Sequence, residues 1–149
     1  MATWISYKSD LETFSASFPG AATRLFHGFW PDDGCSPASV EYSCETENAH
    51  LYEVRVTRVM EYYGSADDFL QTVLREMTKI VPDVDQVEQW PSAFHSLPAI
   101  GFRMRVRKTH AMSGTAVLNG NTVYIASVFA PTGSPVDLKR FLDGFVIGV

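Results

Sequence analysis

The sequence predicts an α+β fold, with one antiparallel sheet of about five to seven strands and two amphipathic helices packed on it. Several runs alternate apolar and polar residues, which is typical of strands that bury one face. Residues 65–81 instead place apolar side chains at helical spacing. A second helix-start signal, Ser-Pro-Val-Asp, follows at residues 134–137. Runs of antiparallel strands interrupted by helices favour this class.

Length and composition favour one compact domain over residues 1–149. The chain has 149 residues, of which 46% are hydrophobic, and single domains commonly hold roughly 100–200 residues. Its net charge is −5, whereas domains that bind nucleic acid usually carry a basic excess. We therefore expect no nucleic-acid partner.

Further features bear on location and cofactors. No apolar run approaches the roughly 18 residues that a membrane span requires. The N-terminal stretch MATWISYKSDLETF lacks the basic and apolar regions of a secretory signal. Cys35 and Cys44 match no zinc-site spacing, and we interpret both as reduced thiols. The sequence predicts a cytoplasmic protein that contacts no membrane and binds no metal or other cofactor.

The N-terminal part predicts two strands and a long loop. TWISY (3–7) is expected to be a short strand, and ETFSASF (12–18) a strand that ends at Pro19-Gly20. Its inward residues are Phe14, Ala16 and Phe18. Residues 20–37 have no clear period and contain turn-forming residues, so we expect an irregular loop anchored by aromatic side chains.

The next strands are expected to form a hairpin. ASVEYSCET (38–46) and LYEVRVTRVM (51–60) each alternate apolar and polar residues, and the short break TENA separates them. The predicted inward residues are Val40, Tyr42, Cys44, Tyr52, Val54 and Val56.

The central helix has the clearest signal. Ser65 followed by Asp68 is a capping box, and Pro82 ends the apolar pattern of residues 65–81. The apolar stripe comprises Phe69, Leu70, Val73, Leu74, Met77, Ile80 and Val81.

The C-terminal half predicts more strands and the second helix. DQVEQWPSAF (85–94) contains Pro91, which favours a sheet edge or a bulge. Strands at 99–112 and 115–130 are expected to be joined by a turn at Ser113-Gly114. Asn119-Gly120 then indicates a hairpin or a bulge. The last helix is expected to start at Ser134 and stop at Gly144.

Several short motifs resemble a known superfamily. They are Trp4-x-x-Tyr7, FSASFPG at 14–20, LPAIGFR at 97–103, GNTVYIASV at 120–128 and RFLDGF at 140–145. In this order they resemble small bacterial proteins of the PsbP-like fold superfamily, which includes photosystem II extrinsic subunit P and the Ran-binding import factor called Mog-one. The resemblance implies an antiparallel sheet with helices on its faces. Its better-known members are binding proteins, some relatives act as dimeric adaptors or chaperones, and no catalytic motif accompanies the matched residues.

The stretch GFRMRVRK contains the first candidate binding site. Arg103, Arg105 and Arg107 occupy alternate positions, so they share one face of the predicted strand, and Lys108 follows them. Guanidinium groups suit phosphate or carboxylate partners, which favours a small anion or an acidic protein surface.

A structural interpretation of the same arginines stays open at this point. Glu41, Glu45 and Glu53 are predicted to point outward from other strands. If those strands neighbour the arginine strand, cross-strand Glu–Arg pairs neutralise it.

Phe29 and Trp30, in the long loop, are the second candidate binding site. Aromatic residues together with arginines are frequent interface anchors. The alternative is that these side chains cover an edge of the core.

These observations lead to two hypotheses about function. The first is a non-enzymatic binding or adaptor protein that holds a protein partner, with a homodimer as a further expectation. The alternative is a small anionic-ligand-binding or enzymatic site at the arginine-lined sheet face. The sequence contains no GxSxG, HExxH, P-loop or GxGxxG motif, and its four histidines lack metal-ligand spacing. We therefore assign no catalytic and no metal-binding residue.

Overall fold

A computed structural model describes residues 3–27, 39–59 and 64–148 of the chain. Their elements, in chain order, are β1 (Ile5–Ser9), β2 (Phe14–Phe18), β3 (Thr23–His27), β4 (Ser39–Glu45), β5 (Leu51–Arg58), α1 (Ala66–Ile80), β6 (Val84–Phe94), β7 (Leu97–Val106), β8 (His110–Asn119), β9 (Thr122–Pro131), α2 (Leu138–Asp143) and β10 (Val146–Ile147).

The strands form two antiparallel sheets, so the predicted fold class is wrong. The small sheet has the order β1-β2-β10, and the seven-stranded sheet has the order β3-β4-β5-β9-β8-β7-β6. The small sheet and α2 pack on one face of the large sheet, and α1 packs on the other face against β7 and β8. The molecule is thus mostly β, and it lacks the PsbP-like arrangement of two helices on one sheet. Alternation shows which residues face inward, but not which strands share a sheet.

Each face of the large sheet carries its own apolar core. Between the sheets, the fully buried Phe14 and Phe18 of β2 pack with Phe141 of α2. Under α1, Leu70 and Leu74 belong to a second cluster with residues of β7, β8 and β9. Burying each of these large side chains contributes about 1.5–3 kcal/mol, so both layers hold the large sheet.

A buried polar network ties the small sheet to the large one. The Tyr42 hydroxyl donates to Glu12 Oε2 at 2.7 Å, and Arg24 Nη2 donates to Glu12 Oε1 at 3.0 Å. Ser9 Oγ also donates to Glu12 Oε2 at 2.7 Å. Burial alone would raise the pKa of Glu12, but the hydrogen bonds from Tyr42, Ser9 and Arg24 lower it below the usual value. This carboxylate is therefore a structural hub.

The hairpin, the central helix and the inward face of β2 are confirmed. The residues predicted to face inward from β2, β4 and β5 are all buried. Ser65 caps α1, because its Oγ accepts the Asp68 N–H at 3.1 Å. Pro91 lies in β6, which is an edge strand of the large sheet as its proline predicts.

The expected irregular loop at residues 20–37 is wrong in its first part. Thr23–His27 forms strand β3, which pairs with β4 at the edge of the large sheet. Thr23, Arg24 and Leu25 are all exposed, so these three residues do not alternate as in a half-buried strand. Residues 28–38 lie outside the described part of the chain.

The turn between β7 and β8 lies earlier than the sequence predicts. Both Arg107 and Lys108 have positive φ, at 55° and 61°, and β8 runs without a break through Ser113-Gly114. A Cβ at Gly114 would collide with the Ala126 carbonyl oxygen of β9. This glycine therefore permits close strand packing instead of a turn. The hairpin at Asn119-Gly120 is confirmed.

The last helix starts three residues after the predicted position. Asp137 is its N-terminal cap residue, and Ser134 instead hydrogen-bonds His50. Gly144 is its C-cap, as expected.

Strand β10 was not predicted, because a two-residue strand is too short to show a period. No helix in the described residues is long and apolar enough to cross a membrane.

Candidate functional site

A groove opens between the last turn of α1 and the large sheet. Its walls are mostly apolar and comprise Leu51, Met77, Ile80, Val81, Met112, Ile125 and Phe129. The cavity measures about 170 Å³, which is similar to cavities that hold one aromatic ring. Ile80 at the rim is 67% exposed, so the groove is accessible from solvent on that side.

Polar side chains form the floor of this groove. Glu53 and Arg55 lie two residues apart on β5, so they share the face that points toward α1. The strand register places Ser127 of β9 opposite Glu53, and Glu41 of β4 opposite Arg55. Four neighbouring polar residues therefore meet on one face.

One guanidinium serves two carboxylates on this floor. Arg55 Nη2 lies 3.0 Å from Glu41 Oε1, and Arg55 Nε lies 3.3 Å from Glu53 Oε1. The glutamate side chains are only 16% and 13% exposed, whereas Arg55 is 34% exposed. We call Glu41, Glu53 and Arg55 the groove triad.

The Glu53 carboxyl group of the triad has a raised pKa. Burial, and then the hydrogen bond with Glu41, raise the pKa of Glu53 to about 8, although Arg55 opposes the shift. Glu53 is thus largely protonated at neutral pH.

Ser127 is a buried polar residue with an unused hydroxyl. It is 3% exposed and lines the groove, yet its side chain hydrogen-bonds no residue in the described parts of the chain. Buried polar groups are nearly always hydrogen-bonded. Because no fully buried side-chain nitrogen or oxygen in the described residues lacks a partner, the Ser127 hydroxyl is open to the groove.

The predicted arginine site lies on the opposite face of the large sheet. Arg103 and Arg105 project from β7 on the side away from α1, whereas Arg107 and Lys108 lie in the turn that follows. The expected row of three arginines on one strand is therefore wrong for Arg107, because β7 ends at Val106.

Aspartates, and not the expected glutamates, neutralise this arginine face. Arg105 Nε lies 2.6 Å from Asp85, and Arg107 Nε lies 2.7 Å from Asp83. Arg103 forms no ion pair with any residue in the described ranges. The Glu–Arg pairing that the sequence left open does not form with Glu41, because three strands of the sheet order separate β4 from β7.

A shallow hollow beside Arg103 and Arg105 is the feature of this face that most resembles the predicted anion site. It measures about 190 Å³ and includes Gln86, Glu88 and Thr132. The Arg105 side chain is 42% exposed, so water screens the charges of the hollow. Trp90 lies over Gly101 on this same face and is 48% exposed.

The aromatic loop, the histidines and the metal-ligating residues provide no further site within the described residues. Phe29 and Trp30 lie outside the described residues, so the aromatic site stays a prediction. His50 is buried, and its Nε2 lies 2.7 Å from Ser134 Oγ, but no third side chain in the described ranges orients this pair for nucleophilic catalysis. No cluster of metal-ligating side chains occurs within the described residues.

Comparisons with known proteins found neither a matching family nor a matching curated protein. The architecture implied by the PsbP-like resemblance is wrong, and the family assignment itself stays a prediction. The case for a function therefore rests on the groove.

Sequence reasoning missed the groove although its signal is visible. In LYEVRVTR, Glu53 and Arg55 alternate with the core residues, so we expected them to face solvent. Opposite charges two residues apart on a strand could have indicated a paired site. The position of α1 beside them is a tertiary feature that no local pattern carries.

Proposed function

We propose that the protein is a binding protein and that its ligand site is the groove beside α1. The ligand is a small, mostly apolar molecule that carries one polar group. Ligand sites are typically concave and apolar with a few convergent polar groups, and the groove has this composition. The observation that carries the proposal is the mostly apolar groove itself, with the polar side chains of Glu53, Arg55 and Ser127 converging on its floor.

Stability alone does not explain this floor. Burying charged groups costs desolvation free energy that a pair recovers only with excellent geometry. In this triad two carboxylates compete for one guanidinium, with the two distances at 3.0 and 3.3 Å. Apolar residues at these positions would fold at least as well. A role in binding explains why charged side chains occur there.

Methionine methyl NMR tests the proposal. Met77 and Met112 line the groove, whereas Met104 is fully buried in the cluster under α1. We expect 1-hexanol to shift the Met77 and Met112 methyl signals saturably and to leave the Met104 signal in place.

Two surface variants give a matched control. Ile80→Ser removes an apolar side chain at the rim, and Leu11→Ser removes one that is 71% exposed on another segment. The first is expected to weaken hexanol binding at least about threefold, which is the scale of losing about one buried methylene, while the second leaves binding unchanged. Shifts that do not saturate, or equal binding by both variants, would contradict the proposal.

A second proposal keeps the arginine face as a protein interface. Arg103 has no ion pair among the described residues, and the exposed Trp90 ring lies near it. An arginine beside an exposed aromatic ring suits an acidic partner surface. Cross-linking in native extract should lose contacts to β6 and β7 in Arg103→Glu and keep them in Arg75→Glu, a charge reversal on α1. Equal contacts in both variants would rule out this face.

A further inference from the structure

We infer that the groove selects a small molecule with an aromatic ring and one hydroxyl group over a saturated ring of the same size. This preference rests on the proposed function and names the ligand class of the same groove. Phenol represents the chemistry, and cyclohexanol is its saturated counterpart. Three features of the groove support the preference: the register of its floor, the Phe129 ring and a pair of methionines.

A low floor at the centre of the groove provides space for a ring. Ser127 of β9 lines the cavity and lies directly opposite Gly114 of β8. Directly opposite residues share one face of a sheet, and a Cβ at Gly114 would collide with the carbonyl oxygen of Ala126, so no larger residue can fill this place. The bulkier Ile125 and Phe129 line the cavity on either side of Ser127, each about 7 Å along the strand. The two small residues therefore leave a hollow between two large side chains.

One wall of this hollow is an aromatic ring that is held from behind. The His110 ring stacks on Phe129, with the ring centroids 5.1 Å apart and an angle of 7° between the planes. His110 Nδ1 lies 2.9 Å from Thr109 Oγ1, and this hydrogen bond limits rotation of the imidazole. Aromatic rings attract one another in offset-stacked and edge-to-face arrangements. Phe129 is thus fixed in a position where it can contact a second ring inside the groove.

Two thioethers border the same cavity from different elements. Met77 belongs to the last turn of α1, and Met112 lies on β8 directly opposite Phe129. Methionine sulfur makes favourable contacts with aromatic rings, typically at the ring edge and about 5 Å away. A ring beside Phe129 would therefore have one thioether on the sheet side and one on the helix side. A saturated ring gains only the burial of apolar surface, which an aromatic ring gains as well.

The size and the polar groups of the groove suit a single ring with one small substituent. The cavity measures about 170 Å³, and an apolar cavity of about 150 Å³ in another protein holds benzene. The Ser127 hydroxyl is open to this cavity. Hydroxyl groups both donate and accept hydrogen bonds, so a phenolic hydroxyl and Ser127 can pair in either direction. One hydrogen bond on the floor would then orient the ring between Phe129 and the two methionines.

Two ligands of matched shape test the inference on the full chain. Phenol and cyclohexanol share one skeleton and one hydroxyl group, and both are uncharged at pH 7, since phenolic groups titrate near pH 10. Dissociation constants come from the saturation of the Met77 and Met112 methyl NMR shifts. We expect phenol to bind at least about fivefold more tightly, which is the scale of one aromatic–aromatic and one sulfur–aromatic contact together.

The same spectra report where the ring lies. An aromatic ring current displaces the signals of nearby protons, whereas a saturated ring has no such current. At saturation, phenol should therefore move the Met77 and Met112 methyl proton signals several times as far as cyclohexanol does. The Met104 methyl, which is buried in the cluster under α1 and does not line the groove, should stay in place with both ligands.

Methionine variants separate the sulfur contacts from apolar burial. Met112→Leu and Met77→Leu remove one sulfur each at nearly constant volume. Each should weaken phenol about twofold more than cyclohexanol, with the remaining groove methionine as the reporter. Met104→Leu is the matched control and should keep the wild-type ratio of the two dissociation constants. Circular dichroism confirms that each variant is folded, and the wild-type ratio tests the preference without any variant.

The outcomes distinguish the inference from the proposed function. Saturable binding of phenol and cyclohexanol with equal dissociation constants would overturn the aromatic preference and leave the groove as a ligand site. Failure of phenol, cyclohexanol and 1-hexanol to bind saturably would overturn both. Binding of Nα-acetyl-tyrosine amide at least about tenfold more tightly than phenol would overturn the assignment to a small molecule, since the same ring would then come from a tyrosine side chain of a protein.

Discussion

Two charged clusters lie on opposite faces of the same sheet, and they differ mainly in burial. The groove triad has glutamates that are 13% and 16% exposed, whereas Arg105 and Asp85 on the other face are 42% and 26% exposed. Both clusters contain short ion pairs. In the groove, burial and then the hydrogen bond with Glu41 raise the pKa of Glu53 to about 8. Residue type alone therefore does not identify a site; its surroundings do.

The physical difference is the local dielectric. Two unit charges about 4 Å apart interact by about 1 kcal/mol in water and by about 4 kcal/mol at the effective dielectric of a protein site. Dissolved salt also screens exposed charges, with a Debye length of about 10 Å at an ionic strength of about 0.1 M. The groove can thus discriminate between ligand charges, and the arginine face can do so only weakly.

The largest expected effect is on the pH dependence of stability. Glu53 has a folded-state pKa near 8 against an ordinary value of 4.5. Between these values the folded protein keeps a proton that the unfolded chain loses, so stability falls as the pH rises toward 8. Glu53→Gln cannot ionise. The difference in unfolding free energy between Glu53→Gln and wild type should therefore shift by about 3 kcal/mol in favour of the variant between pH 5 and pH 8. Urea denaturation measures this difference.

Glu88→Gln provides the matched comparison for that series. Glu88 belongs to the exposed hollow beside Arg103 and Arg105. The unfolding free energy of Glu88→Gln should follow the wild-type curve from pH 5 to 8. Parallel curves for Glu53→Gln and wild type would show that the groove proton does not exist.

Removing the central cation should have the next largest effect. Arg55→Met leaves the Glu41 and Glu53 carboxyl groups without their guanidinium partner. Loss of one member of a partly buried pair should lower the unfolding free energy by about 2–3 kcal/mol at pH 7. Equilibrium unfolding in urea or guanidinium chloride measures this free energy. A change as small as that expected for the exposed Arg105–Asp85 pair would mean that water surrounds the triad.

The smallest effect is expected on the arginine face. Arg105→Met breaks the pair with Asp85, whose distance is 2.6 Å. Because Arg105 is 42% exposed, this pair should contribute less than about 1 kcal/mol. The difference should shrink further when NaCl is raised to about 1 M, where screening is nearly complete. A loss above about 2 kcal/mol that persists at high salt would remove the distinction between the two faces.

Much of the secondary structure follows from local pattern. The hairpin of β4 and β5 and the helix α1 were predicted because each buries a regular stripe of side chains. Thr23–His27 was missed because an edge strand such as β3 is not forced to alternate. Ser113-Gly114 was misjudged as a turn, since a glycine required by close strand packing looks the same in sequence.

The candidate site was beyond the reach of that reasoning. The sequence draws attention to Arg103 and its neighbours because like charges at alternate positions stand out. Glu53 and Arg55 form a site only because α1 lies beside β5 and β9, and Ser127 comes opposite Glu53 only in the observed register. Strand order and register are tertiary properties, so a single sequence leaves them open.

The most direct measurement is an NMR pH titration of the side-chain carboxyl carbons of glutamate in the ligand-free protein. The Glu53 signal is assigned as the one that disappears in Glu53→Gln. We predict that this carboxyl titrates near pH 8, because burial and the neighbouring Glu41 hold its proton. A midpoint near the ordinary value of 4.5 would contradict the account, since the Glu53 carboxyl group would then behave like an exposed one.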